Sequence, residues 1–288
     1  GVIALDNVSF SLRPGEVHIL LGENGAGKST LMKILSGAYE PSSGSICING
    51  KEFDKLTPAL SREEGISIIY QELSVIDELT IMENIFLGKL LEKSVFGIKV
   101  VDKDAMLKRT DEYLEAVGLK CPANTAVGDL RISEKQMVEI AKSLAFDSNI
   151  IIMDEPTSSL TEEEIRQLFA IIKKLKAAGK GIIYISHKLK ELIEIGDRVT
   201  VLKDGKYVGT VDIKDVDIPI LINMMVGREL TSKYNEKHHR EAKTEEVILK
   251  VENLTRKDQY VHDISFALYK GEILGFSGLG ASGRTETM

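Results

Sequence analysis

A chain of 288 residues with 43% hydrophobic content is long enough for one to two domains with a real core. A net charge of −7 and a pI near 5.5 argue against a nucleic-acid binder that works by broad phosphate neutralisation. No run reaches 18 consecutive apolar residues, so no membrane-spanning helix is expected, and the only cysteines, Cys47 and Cys121, lie outside any metal-ligand spacing, as in a reducing compartment.

The first clear element is EVHILLG (16–22), an apolar run that predicts a short buried strand. It leads into a glycine-rich turn and then a helix over STLMKILSGA (29–38). Gln71 follows a second apolar run, in IIYQE (68–72), and means little in isolation. From about 77 to 146 there is no buried strand run, and the stretch reads as mainly helical. NIIIMDE (149–155) and KGIIYISH (180–187) are continuous apolar runs of the kind found in parallel strands covered on both faces. Between them Ile165, Leu168, Phe169, Ile172 and Leu175 recur at helical spacing. Strand, helix, strand is the right-handed crossover of an α/β fold.

Residues 229–246 are polar and charged and read as a linker, and the adjacent His238 and His239 within it read as solvated side chains. Beyond the linker comes a repeat. NVSFSLRPGEVHILLGENGAGKST (7–30) aligns without a gap with DISFALYKGEILGFSGLGASGRTE (263–286). A period of about 256 residues is the size of a domain and far too long for a solenoid unit. The expected organisation is a first domain over 1–228 with a helical insert at about 77–146, a linker over 229–246, and the opening of a second copy over 247–288. A chain that starts with Gly and stops inside that second copy reads as a fragment, and strands without a completed core are marginal.

Gly22-x-x-x-x-Gly27-Lys28-Ser29 has the phosphate-binding loop spacing, between a strand and a helix. Glycines allow the tight turn, so the backbone N–H groups of Gly22, Glu23, Asn24, Gly25, Ala26 and Gly27 can converge on phosphate oxygens. Lys28 would reach the β- and γ-phosphates, helped by the helix dipole. Ser29 would ligate Mg²⁺ and Thr30 would hold a nearer phosphate. Asp154, at the end of a buried strand, suits an Mg²⁺ carboxylate, and Glu155 suits a general base for an attacking water. Taken alone, that Asp-Glu-Pro could merely cap the next helix. His187 alone would read as a satisfied core histidine, but it ends the strand after Asp154, where open α/β sheets bind ligands, so a γ-phosphate contact is expected.

In this order, the loop at 22–30, YQE, the helical insert, MDEPTSSLT and YISH resemble an ATP-binding cassette (ABC) ATPase, a P-loop NTPase of α/β class. The resemblance covers the whole chain. QELSVIDELTIMENIFLG, KQMVEIAKSL, KLKELIEIGDRVTVLKDG, MMVGREL and KGEILGFSGL are similar to bacterial monosaccharide importers of the D-allose, ribose and galactoside type, in which two cassettes are fused. That likeness implies ATP and Mg²⁺ as ligands, with Gln71 touching Mg²⁺ and reporting nucleotide state. It implies Glu155 as catalytic base, His187 as γ-phosphate sensor, and residues 158–161 as the loop crossing between cassettes. It also implies a membrane permease and, indirectly, a periplasmic sugar-binding protein as partners, on the cytoplasmic face of the inner membrane, with no nucleic acid.

Two departures stand out. Where the family carries LSGGQ, this chain has Leu130-Arg131-Ile132-Ser133-Glu134, and the second loop has Arg284, followed by Thr285, in place of Lys. In a head-to-tail pair the two weakened halves would meet in one composite site. The likeness also implies an adenine-stacking aromatic just before residue 1. A soluble twin-cassette translation factor is the competing class, but it calls for a long charged helical linker and two good loops. A fragment that binds nucleotide without turnover is the third reading.

Overall fold

The computed structural model describes residues 3–70, 73–96, 98–158, 160–226, 246–256, 261–277 and 287. The chain divides into two compact units, Gly1–Glu229 and Leu230–Met288.

In the first unit the elements run β1 (Val17–Leu21), α1 (Lys28–Leu35), β2 (Ile46–Ile48), β3 (Lys51–Phe53), α2 (Pro58–Glu63) and β4 (Ile66–Ile69). Next come α3 (Ile81–Ile85), β5 (Glu92–Val95), β6 (Ile98–Val101), α4 (Lys103–Val117) and α5 (Ile132–Ala145). The unit closes with β7 (Ile150–Asp154), α6 (Glu162–Ala177), β8 (Gly181–Ile185), α7 (Leu189–Ile195), β9 (Arg198–Lys203), β10 (Lys206–Asp212) and α8 (Ile218–Val226). The central sheet has the order β10-β9-β1-β8-β7-β4, parallel except for the edge pair β9–β10.

The apolar runs at 16–22, 180–187 and 149–155 become three neighbouring strands, β1, β8 and β7, in register at Val17–Ile182 and Ile151–Ile182, and the run before Gln71 ends β4. Their side chains alternate between two cores, as the period of two requires. Ile19, Leu21, Ile151, Met153, Ile182 and Tyr184 enter one core. Leu20, Ile152, Ile183 and Ile185 enter the other. Phe169 and Leu175 from α6 cover the first and Met32 from α1 covers the second. Helices on both faces are what lets these strands be apolar throughout.

The segment around 77–146 is mainly helical, with α3, α4 and α5 packed on one another through Ile85, Leu114 and Val138. It also contains the antiparallel hairpin β5–β6, which the sequence reading did not foresee. Its described residues are exposed, and neither strand, Glu-Lys-Ser-Val or Ile-Lys-Val-Val, keeps the apolar–polar alternation of a half-buried strand, so a periodicity test finds nothing there.

The described part of the second unit is an antiparallel pair, β11 (Val247–Leu254) and β12 (Ile264–Tyr269). Most β11 side chains are exposed. Nearly all of the expected linker and the whole second loop, with Arg284 and Thr285, lie outside the described residues.

Candidate functional site

The loop from Gly22 to Gly27 joins the carboxyl end of β1 to α1. Two glycines are fixed by sterics. A Cβ on Gly22 would lie 2.5 Å from the Leu202 carbonyl oxygen of β9. Gly27 has φ of 101° and a Cβ there would lie 2.6 Å from Leu5 and 2.7 Å from the Ala4 carbonyl oxygen. Any larger residue would push the loop off the sheet or off the amino-terminal segment. Ala26 is buried beneath the turn, while Glu23, Asn24 and Gly25 are exposed.

Gly27 is also the N-cap of α1 and supplies no side chain to the first helical N–H groups. Those donors and the helix dipole make the turn an anion-binding cradle. Lys28 lies across the same loop, its Nζ donating to the carbonyls of Gly22 (2.8 Å) and Glu23 (3.0 Å). Ser29 is exposed and Thr30 half-buried on the opening turn of α1.

Asp154 ends β7, two strands away from β1, and Glu155 follows it. Asp154 pairs with Ile185 in β8, and the Glu155 amide donates to the Ile185 carbonyl at 2.9 Å. Glu155 has φ of 47°, the left-handed region that a non-glycine residue occupies only when its surroundings dictate it. This conformation accompanies a 3.1 Å contact between Glu155 Oε1 and Nδ1 of His187, which follows β8. His187 is well exposed, so it is not a core histidine. Nor does the Asp-Glu-Pro segment cap the next helix: Thr161 and Glu164 form the capping box of α6.

The electrostatics tie the strand ends together. Burial holds the Lys28 ammonium below its ordinary pKa, while Asp154 and Glu155 pull it back up. Burial, and next the neighbouring Glu155 carboxylate, push the Asp154 carboxyl above its ordinary value against the pull of Lys28. A half-buried cation and two carboxylates that sense one another across two strands are the perturbed cluster expected of a working site. Gln71 lies outside the described residues.

The sequence reading missed a polar cluster directly behind the Glu155–His187 pair, built on Glu191 of α7. Thr157 lies 34 residues before Glu191, and although Tyr184 and Ser186 are only seven and five residues away, no local pattern marks the four as a set.

Residues 5–158 match the sequence profile of the ABC transporter family. The chain is 50% identical over its full length to the D-allose import ATP-binding protein AlsA of Escherichia coli, covering 57% of that protein. It is 48% identical to ribose import ATP-binding protein RbsA 1 of Rubrobacter xylanophilus, with 99% of this chain and 56% of that protein aligned. It is 47% identical to the galactose/methyl galactoside import ATP-binding protein MglA of Fusobacterium nucleatum, again over 99% of this chain and 56% of that one. The chain thus spans about half the length of the curated relatives it matches. Among solved structures it is similar to the ADP conformation of an ATP-binding cassette of an ABC transporter, with TM-score 0.67, 26% identity, and 78% of this chain and 93% of that one covered. A dimeric post-hydrolysis cassette bound to ADP and Pi matches with TM-score 0.64, 27% identity, and coverage of 75% and 93%.

Proposed function

The chain belongs to the ABC transporter family, and we propose that it is part of the ATP-hydrolysing subunit of a bacterial monosaccharide importer. The observation that carries this reading is the meeting of Lys28, Asp154 and the Glu155–His187 pair at the carboxyl ends of three adjacent strands. The import-protein names of the relatives at 47–50% identity support the sugar class.

In this reading the N–H groups of residues 22–27 and the first turn of α1 take the phosphates, and Lys28 exchanges its carbonyl partners for the β- and γ-phosphate oxygens. Glu155 orients a water toward the γ-phosphorus and receives its proton as the new P–O bond forms. The bond to the bridging oxygen breaks, leaving ADP and inorganic phosphate. His187 donates to the γ-phosphate and, through its contact with Glu155, keeps the carboxylate turned to the water.

The donor set fits Mg²⁺, which keeps most of its waters and takes one or two protein oxygens with those of the substrate. Ser29 and Asp154 would hold it, and Gln71 belongs to the same proposal. Bound there, Mg²⁺ would neutralise charge on the phosphates.

The proposed partners are a membrane permease, a sugar-binding protein beyond it, and a second cassette. Peripheral attachment at the cytoplasmic face is part of the same proposal and rests on the import-protein names of the relatives; no helix among the described residues is long and apolar enough to cross a membrane.

The start of α5 favours dependence on that second cassette. Arg131 takes the N-cap position and its amide is closed by Glu134 Oε2 at 2.8 Å, so a carboxylate sits where the family's glycine-rich signature would offer bare N–H groups to a phosphate.

The test is Mg·ATP binding measured beside turnover, with Glu155→Gln as control. Turnover that disappears in the variant while binding persists supports the reading. Binding without turnover in the unaltered chain assigns hydrolysis to the complete pair of cassettes. Neither binding nor turnover would overturn it.

A further inference from the structure

Glu191 sits in the first turn of α7 and is buried to 7% exposure. Its Oε2 accepts hydrogen bonds from Thr157 Oγ1 (2.8 Å), Tyr184 Oη (3.0 Å) and Ser186 Oγ (3.2 Å). Its Oε1 lies 3.2 Å from Lys188 Nζ. Lys188 Nζ also donates to the Thr157 carbonyl at 2.9 Å, and the Lys188 amide donates to Ser186 Oγ at 3.0 Å. Thr157, Tyr184 and Ser186 are themselves buried.

The partners fall into two groups. Thr157 lies two residues after Glu155. Ser186 and Lys188 flank His187, with Tyr184 leading into them from β8. One buried carboxylate therefore fastens the segment bearing Glu155 to the segment bearing His187. Those two residues meet across a single 3.1 Å contact on the solvent side of the network. Glu155 is held in left-handed backbone, so the strain there needs a rigid frame behind it. Charge-assisted bonds to a buried carboxylate are the strong kind, and a fully satisfied network specifies one arrangement.

Resting on the ATPase reading above, we propose that Glu191 is a positioning residue that sets the distance between Glu155 and His187. It touches neither substrate nor the reacting water; it acts through Thr157, Ser186 and Lys188. The Tyr184 phenol, pushed well above its ordinary pKa by burial and by the Glu191 carboxylate, stays a proton donor to the hub at all working pH values.

The experiment compares Glu191→Gln, which keeps the shape but removes the charge, with Thr157→Val, which removes one arm and leaves the rest. Both are measured for turnover, for Mg·ATP binding and by amide exchange over 155–158 and 186–188. For Glu191→Gln the expected fall in kcat is about tenfold to a hundredfold, the scale of a misplacement near 1 Å. KM and the Mg·ATP Kd should stay within about twofold, because uniform binding is untouched. Exchange should speed up in both segments together and nowhere else. Thr157→Val should reproduce the same pattern at smaller size. A kcat unchanged per folded molecule, or loosening confined to one segment, would overturn the proposal. If the unaltered protein neither binds nor hydrolyses Mg·ATP, the functional reading fails instead, and the exchange arm alone decides: paired loosening keeps Glu191 as the link between the segments, unchanged protection removes it.

Discussion

The two ends of the central sheet are built from the same strands and treat their charges in opposite ways. At the amino ends, Glu16 Oε2 accepts from the Arg13 amide and Oε1 lies 3.2 Å from Arg198, while Asp197 accepts from the Val17 amide at 2.8 Å and pairs with Lys176. Each carboxylate there closes on donors of its own fold. At the carboxyl ends, Lys28, Asp154, Glu155 and His187 hold one another loosely enough to leave donors and acceptors for a ligand, and Lys28 and Asp154 carry shifted pKa values as a result. One end is satisfied and the other is poised. Substitutions should therefore separate cleanly into stability effects and activity effects according to the end they strike.

The largest effect belongs to the carboxyl end. Glu155→Gln should lower turnover by about 10²- to 10⁴-fold, the range for loss of a general base. Its melting temperature should match that of the unaltered protein, because Glu155 makes its fold contacts through the backbone. A comparable loss of stability would break the distinction between the ends.

At the amino end the order reverses. Asp197→Ala removes the acceptor of the buried Val17 N–H and one partner of Lys176. Leaving a buried donor unpaired costs about 1–3 kcal/mol, which chemical denaturation would read. Mg·ATP affinity should hold within about twofold, since the loop at 22–30 shares no partner with Asp197. A tenfold fall in affinity would mean that the two ends are coupled through β1.

The poised end was far more legible in the sequence than the satisfied one. Glycine spacing, the apolar run before Asp154 and the position of His187 all lie within short windows, so strand and turn could be read together and a role proposed for each residue. The satisfied end depends on pairings such as Val17 with Asp197 and Glu16 with Arg198, about 180 residues apart. No local periodicity encodes these. The Glu191 hub was missed because Thr157 lies 34 residues before it, and Tyr184 and Ser186, though near in sequence, converge on it only once β7, β8 and α7 are placed. The hairpin at 92–101 failed differently, because its short strands carry apolar residues such as Ile98 and Val100 without the sustained alternation that marks a strand.

His18 gives a smaller, pH-dependent effect on the strand that joins the two ends. It is fully buried in β1, with Nε2 2.7 Å from Thr200 Oγ1 and the Phe10 ring 4.5 Å away. Burial, reinforced by Arg198 and Arg13, lowers its pKa from 6.5 to about 4. The unfolded chain takes up a proton as pH falls through 6.5, whereas the folded chain does so only near 4. The contribution is thus complete above pH 6.5 and is lost between 6.5 and 4. Between pH 7 and pH 5 it should remove about 2 kcal/mol of stability. Denaturation of the protein beside His18→Gln at both values isolates it. The variant should show a correspondingly flatter pH dependence, and an identical slope would mean that His18 is protonated in the fold.

The smallest effect sharpens what satisfaction means. Lys206 and Asp6 form an ion pair at the carboxyl end of β9, 3.6 Å apart, with both side chains more than half exposed. The backbone carries the local attachment instead, the Asp6 amide donating to the carbonyl of Gly205, the residue before Lys206, at 2.7 Å. Lys206→Gln should therefore change the unfolding free energy by less than about 0.5 kcal/mol, the usual worth of an exposed pair, and added salt should not enlarge the difference. The Asp197 and Lys206 substitutions each break one ion pair, yet only the first strands a buried N–H group. If the two cost the same, charge pairing itself would be what holds the amino end together. If Asp197→Ala alone is costly, the stability of that end lies in satisfying the strand's buried backbone, and ion pairs elsewhere on this surface are neutral decoration.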